Sequence, residues 1–190
     1  MARPGDEHAL PGGARLRFLR TAGSTGDRAF ELEWRVPVGS RMVPFPHVHL
    51  TADEHFRVES GTARHWLGRR RLSVRDGDAW TVPAGTAHIH PVNVGRTTLV
   101  ARQWIELDVP DGALLRGFER YVETVAAFTA QGRVDRFWRN RSPLQDALTA
   151  QETLLPGTYI AGLPRSLQRA ALARLAGMAR RRGMTATPTA

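Results

Sequence analysis

At Val109-Pro110-Asp111-Gly112 the chain changes its hydrophobic period, and this break divides it into two unlike parts. Upstream, over about 14–107, apolar and polar residues alternate in short runs broken by Gly, Pro, Asp and Asn, the pattern of half-buried strands. Residues 30–36 (Phe-Glu-Leu-Glu-Trp-Arg-Val) alternate without interruption, and further strand-like runs follow at 63–67, 72–74, 79–82 and 97–105 with turn residues between them. Many short strands at close spacing predict an antiparallel sandwich or barrel. Downstream, Leu114, Leu115, Phe118, Tyr121, Val122, Val125 and Phe128 recur at three- and four-residue steps, giving one amphipathic helix closed by Gln131-Gly132. A second helix is expected after Ser142-Pro143, with Leu144, Ala147, Leu148 and Leu154 as its apolar positions. A third is expected from near Pro164, with Leu167, Ala171, Leu175 and Met178 on one stripe and arginines opposite. The expected division is a loose arm over 1–13, a mainly β domain over 14–109 and a helical extension over 110–190.

All 27 basic residues are arginines, against 18 acids, for a formal charge of +9. Six of these arginines fall in 156–190, where there is no acid, so the remainder carries 21 bases against 18 acids, a net of only +3. The basic tail reads as a solvated helix end, where cations meet the negative pole of the helix dipole. A nucleic-acid contact or an anionic membrane surface is the lesser alternative, and no specific nucleic-acid partner is expected. The apolar stripe of the third helix is expected to dock on the barrel or on a second subunit. Arg69-Arg70-Arg71 reads as an exposed hairpin tip.

The chain has no cysteine, which excludes disulfides, thiol nucleophiles and thiolate metal sites. Any metal must be held by imidazole and carboxylate. No apolar run approaches the roughly 20 residues of a membrane span, and the first residues offer no apolar segment for a signal peptide, so the cytoplasm is the expected location.

The residues able to do chemistry concentrate between Gly39 and Asn93. His47 and His49 are two apart, so on a strand both rings face one side. Glu54 follows after an interval long enough for a turn, and His88 stands on a later strand. Three imidazoles and a carboxylate converging inside a small barrel suit one divalent transition metal ion: iron, manganese, nickel, copper, cobalt or zinc. Burying these groups without a cation would leave polar atoms poorly satisfied, although a pocket of the same residues that holds no metal is the alternative. By alternation His90 shares the inward face of His88 and reads as a wall residue in preference to a fifth ligand. Phe56 shares the face of Glu54, and Trp80 stands on the next strand. Such aromatic walls suit a flat or apolar small molecule, and ordinary core packing is their commoner role. Of Arg102 and Gln103 one must face inward, and Arg102 would bind an acidic ligand group. His55 should face away from Glu54, and His8 and His65 should lie on the surface.

Together these residues resemble the two signature motifs of the cupin superfamily. Its first motif has a glycine, a His-x-His pair, a glutamate and a closing glycine, and here His47, His49, Glu54 and Gly61 match it. Its second has a glycine, then Pro-x-Gly-x-x-His, and here Gly77, Pro83, Gly85 and His88 match it. Two spacings depart from the pattern. Gly39 precedes His47 by two residues more than usual, and Asn93 follows His88 by one more, which reads as an insertion or bulge that spares the ligands. The resemblance implies an antiparallel jelly-roll barrel (a double-stranded β-helix) of the small bacterial type, with a metal held by His47, His49, Glu54 and His88. It implies pairing of two barrels in a homodimer. It also implies an activity among dioxygenases, isomerases, decarboxylases and polyketide cyclases, in which Glu54 can double as a proton acceptor. A dioxygenase-like oxidoreductase is favoured for the complete three-histidine, one-glutamate set. A zinc-type cyclase or isomerase and a non-catalytic binding or sensing module stand as alternatives.

Overall fold

Residues 30–36 become β3 (Ala29–Val36), and the alternation decides its faces: Phe30, Leu32, Trp34 and Val36 are buried while Glu31, Glu33 and Arg35 are not. The computed structural model describes residues 1–155 and 157–187. Its other early strands are β1 (Glu7–Ala9), β2 (Arg15–Arg20), β4 (His47–His49), β5 (Glu54–Ser60), β6 (Thr62–Leu67) and β7 (Arg70–Arg75). β8 (Ala79–Val82), β9 (His88–Asn93) and β10 (Leu99–Glu106) complete the barrel. α1 (Gly112–Ala130), α2 (Pro143–Thr153), a short β11 (Thr158–Ile160) and α3 (Arg165–Arg181) follow.

The strands form two antiparallel sheets, ordered β1-β2-β3-β10-β5-β8 and β11-β4-β9-β6-β7. Their inward residues make one core, with Phe18, Leu32, Trp34, Phe56 and Ile105 from the first sheet and Ala63 and Val74 from the second. Each large apolar side chain fully withdrawn from water contributes roughly 1.5–3 kcal/mol. The β domain is thus one of the two architectures the strand pattern predicts, in the jelly-roll form the resemblance implies, with a helical extension after it. The motif glycine Gly61 turns β5 into β6 at φ +102°, and a Cβ there would meet the Leu99 backbone at 3.1 Å. Only glycine fits such a position.

The N-terminal residues, expected as a loose arm, are stitched to the sheet. Glu7 to Ala9 pair with β2 in antiparallel register, Gly5 N donates to Phe18 O at 2.8 Å, and Leu10 is buried. Three residues of strand are too few to show alternation, and backbone pairing holds them instead.

α1 begins at Asp111, whose side chain accepts from Leu114 N at 2.9 Å, a side-chain N-cap. It buries Leu115, Phe118, Val122 and Val125 against the barrel. The extension then differs from expectation in two ways. Leu154 stands at the C-cap of α2 and not inside the helix. In α3 the buried positions are Gln168, Ala176 and Ala179, the latter two packed with Leu148 of α2, whereas Leu167 is 59% exposed. The stripe of Leu167, Ala171, Leu175 and Met178 is therefore not the docking face. The small side chains of Ala176 and Ala179 let α3 close on Leu148 of α2, and that contact turns the larger side chains of α3 aside.

A strand with no sign in the sequence joins the extension to the barrel. β11 pairs with β4 in the register Thr158↔His49, Tyr159↔Val48 and Ile160↔His47. Gln168 of α3 fastens its other edge, accepting from Ile160 N and donating to Ile160 O, both at 2.9 Å.

Candidate metal centre

His47 and His49 occupy alternate positions of β4 and so project together into the barrel. β9 lies beside β4 with His47 opposite His88, and His90, two residues on, shares the inward side. Glu54 enters from β5 of the other sheet. All five side chains are buried, and one ligand atom from each lies within 4.8 Å of every other.

Hydrogen bonds behind the rings fix which nitrogen faces the centre. His47 Nδ1 is 2.9 Å from Phe45 O, and His88 Nδ1 is 3.1 Å from Thr86 O. A carbonyl can only accept, so in both rings Nδ1 carries the proton and Nε2 keeps its lone pair. His49 Nδ1 meets Thr158 Oγ1 at 3.0 Å. Glu54 is held at one oxygen: Gln103 Nε2 donates to Oε1 at 2.5 Å, while Gln103 Oε1 accepts from Trp34 Nε1 at 2.6 Å. Glu54 Oε2 stands 2.8 Å from His88 Nε2 and 3.7 Å from His49 Nε2, and Oε1 stands 3.2 Å from His90 Nε2.

These contacts fit a cation. Glu54 Oε2 and the Nε2 atoms of His49, His88 and His90 have no hydrogen-bond partner among the described residues, for all their closeness. Lone pairs facing one another at such separations repel unless a positive charge lies among them. Nitrogen and oxygen atoms bound to one ion at roughly 2.0–2.2 Å stand roughly 3–4 Å apart, and the Glu54 separations from His49 and His90, 3.7 and 3.2 Å, fall in that range. The electrostatics agree. Burial, then the charges of His88, His90 and His49, hold His47 well below the usual imidazole range. Burial also lowers His90. Burial alone would raise the Glu54 carboxyl, yet His90 and His49 hold it well below its ordinary value. His88 is burdened by burial, but its contact with Glu54 raises it. Neutral imidazoles at His47 and His90 beside an ionised Glu54 are the forms that bind a metal.

Above the cluster lies a cavity of about 50 Å³ walled by Trp34, Ile105, Phe118, Tyr121 and Val122, among others. Phe118 of α1 meets the His49 ring edge-on, centroids 5.0 Å apart. The extension thus supplies part of the wall.

The other residues singled out from the sequence fall in different places. His90 borders the cavity as a wall residue and also stands within the cluster itself. Phe56 lies behind it, stacked on Trp80 at 5.2 Å and edge-on to His90 at 5.1 Å, and neither aromatic borders the cavity. Arg102 is on the outer face, paired with Glu59 and Glu31 at 3.1 and 3.3 Å. The inward residue is Gln103, because it pairs with Phe56 of β5 and Leu32 of β3 and shares their face. His55 does face outward, stacked on Trp104. His8 is half-buried against Phe18.

His65, expected at the surface, is fully buried against Phe56 and Trp80, and burial with the nearby His90 and His88 pushes it down to about 3. It sits where β6 and β9 slip register: Arg64↔Val92 is followed by Trp66↔Ile89, so β9 carries one extra residue. Pro91, which has no N–H to give the ladder, lies within that bulge. The bulge accounts for the extra residue before Asn93, whose amide donates to Val36 O and Thr97 O at 2.8 Å.

The family model described as a cupin domain matches residues 32–108. The chain carries a cupin domain. All five clustered side chains lie within the cupin domain, while Phe118 and Thr158 come from the extension beyond it. Among solved structures, the domain is similar to a predicted oxalate decarboxylase from Thermotoga maritima at 20% identity, covering 50% of this chain and 80% of that one, with a TM-score of 0.46. KdgF from Halomonas sp. is 19% identical over 53% of this chain and 87% of that one, with a TM-score of 0.44. A deletion mutant of Bacillus subtilis oxalate decarboxylase OxdC is 19% identical over 56% of this chain and 29% of that one, with a TM-score of 0.47. At these values the likenesses carry no argument about activity. No curated protein matches the chain.

Proposed function

We propose that the protein is a metal-dependent enzyme acting on a small organic molecule, with a dioxygenase-like oxidoreductase as the favoured reaction class. The observation that carries this reading is the buried cluster of His47, His49, Glu54, His88 and His90, gathered within 4.8 Å with its inner lone pairs unpartnered. His47, His49, Glu54 and His88 would hold the ion, one of iron, manganese, nickel, copper, cobalt or zinc, and His90 adds a fifth donor beside them. Such an ion supplies Lewis acidity and, where it is redox-active, electron exchange with dioxygen.

The chain's own residues prepare the site. Phe45, Thr86 and Thr158 set the ring orientations of His47, His88 and His49. Gln103 anchors Glu54 by Oε1, which leaves Oε2 turned to the cluster as a ligand and proton acceptor. The apolar wall of Phe118, Val122 and Ile105 excludes bulk water. A cavity of about 50 Å³ admits a molecule the size of water or dioxygen. With dioxygen as oxidant, both its atoms end in the oxidised organic product and no separate reductant is consumed.

Residues 14–109 would carry the chemistry and the extension would cover it. With this reading go the homodimer that the cupin resemblance implies and a cytoplasmic location. No helix among the described residues is long and apolar enough to cross a membrane.

The test is oxygen uptake by the full-length, metal-loaded protein against a panel of aromatic and long-chain carboxylic acids. Uptake that is lost in His49→Ala supports the reading. Stoichiometric zinc without uptake redirects it to a cyclase or isomerase, and absence of any metal after reconstitution leaves a binding or sensing module.

A further inference from the structure

The cavity at the histidines has no room for an organic substrate, but a second hollow adjoins it. A groove of about 940 Å³ runs between α1, α2, β11 and α3, within the size range of ligand pockets. Val125, Phe128, Trp138, Ala147, Leu172 and Leu175 are among its lining residues. Phe45, Tyr121, Leu154 and Thr158 border both spaces, so the groove ends against the wall of the cluster. The Phe45 ring is 5.5 Å from that of His47, and Thr158 touches His49.

Three features show what would occupy the groove. Phe137, Ile160, Leu163 and Leu167 are large apolar side chains left exposed, and all four border it. The α3 stripe of Leu167, Ala171 and Leu175, turned away from the helix packing, lines the same concave surface. At its exposed edge, Phe137 is surrounded by the guanidinium groups of Arg136, Arg139 and Arg41, 4.9, 5.3 and 5.7 Å from the ring centroid. Arg139 is paired with Asp135, while Arg41 and Arg136 form no ion pair among the described residues. Of the three arginines Arg139 lines the groove itself, Arg41 and Arg136 flank it across Phe137, and Asp146 is the one carboxyl among the lining residues. Apolar walls thus lead from a mainly cationic edge to the wall of the histidines.

We propose that this groove binds an extended apolar organic molecule with an anionic end, of the long-chain carboxylate class. The carboxylate lies at the arginines around Phe137, and the chain runs along α3 to Phe45 and Thr158. That the ligand is the substrate rests on the metal-centre reading above; that it binds does not. Concavity, continuity with the cluster and the cationic edge favour such a ligand over a flat contact with a second copy of the chain.

The test is calorimetric titration of full-length protein with dodecanoate below its micelle concentration, with dodecyltrimethylammonium as the reference amphiphile. The expected result is about one dodecanoate per chain, bound at least about tenfold more weakly by Ala171→Trp and by Arg136→Glu. The cationic amphiphile should bind more weakly by a similar factor. Ala171 is exposed, so a tryptophan fills the groove without entering the core, and Ala150→Trp on the facing α2 serves as the second blocking variant. Failure of dodecanoate to bind, unchanged affinity in both tryptophan variants, equal binding of the two amphiphiles, or burial of the groove in a dimer shown by sedimentation overturns the proposal. Metal content, measured on the same samples, separates the two claims. Protein that binds dodecanoate but no metal contradicts the metal centre alone, and protein that binds metal but no dodecanoate contradicts the groove alone.

Discussion

Thr158 Oγ1 stands 3.0 Å from His49 Nδ1, across a strand pair in which the two residues are direct partners. Thr158 comes from the helical extension and His49 from the barrel. The extension therefore sets the orientation of a cluster residue more than a hundred positions earlier in the chain.

The bond from Thr158 holds the His49 ring with Nε2 toward the cluster, and losing such a partner typically costs about 10–100-fold in metal affinity. Thr158→Val keeps the side-chain shape but removes the hydroxyl. It should weaken metal retention against a competing chelator by this factor, and Thr158→Ser should restore it. Equal retention by the Val variant would show that β11 supports the strand only by its backbone.

Gln103 joins Trp34 to Glu54 through two buried hydrogen bonds, at 2.6 and 2.5 Å. Gln103→Leu strands both an indole N–H and a carboxylate oxygen, each unpaired buried group costing roughly 1–3 kcal/mol. Urea unfolding of the metal-free protein should show a loss of at least that size. Metal retention should fall as well, because Glu54 loses its anchor.

Two helix glycines should respond to alanine with opposite signs. A Cβ on Gly117 would run into the Thr153 carbonyl oxygen, where α1 crosses the end of α2. Gly117→Ala should destabilise the protein by roughly 1–3 kcal/mol. At Gly177 the nearest atom to such a Cβ is Arg181 Nη1, at 3.7 Å. Gly177→Ala should therefore stabilise α3 by roughly 0.5–1 kcal/mol. Thermal unfolding of the two variants beside wild type checks both.

Burial raises the Asp146 carboxyl to about 6, against the partial relief it gains by accepting from Asn140 N. A carboxyl raised in the folded state binds its proton more tightly there than in the unfolded chain. Stability is then full below the ordinary carboxylate range and declines as pH rises through the folded value. The decline from Asp146 should fall between about pH 4 and 6. Asp146→Asn should remove that part of the slope in chemical unfolding measured across this range. An unchanged slope would place the carboxyl in water.

The barrel was legible because alternation is regular along β3 and turn residues cut the following runs into short strands. His47, His49, Glu54 and His88 were legible because residue type and spacing speak before packing does. What stayed hidden depends on pairing between distant strands. Whether Arg102 or Gln103 turns inward is set by the register of Gln103 against Phe56, which local sequence does not contain. His65 is drawn inward where β9 bulges opposite it, so a histidine that looked solitary has Phe56 and Trp80 as neighbours. β11 is three residues long, too short for any period, and its partner lies in the barrel. The apolar stripe of α3 is plain in the sequence, but Ala176 and Ala179 take the packing and leave the stripe facing the groove.

The most direct measurement is the metal content of full-length protein, purified without chelator, by elemental mass spectrometry. Wild type should carry about one divalent transition metal ion per chain. His47→Ala and His88→Ala should carry almost none, while His65→Ala, altered beside the cluster but outside it, should match wild type. Metal-free wild-type protein that takes up no ion on reconstitution, or equal metal in all four proteins, would contradict the assignment of the centre.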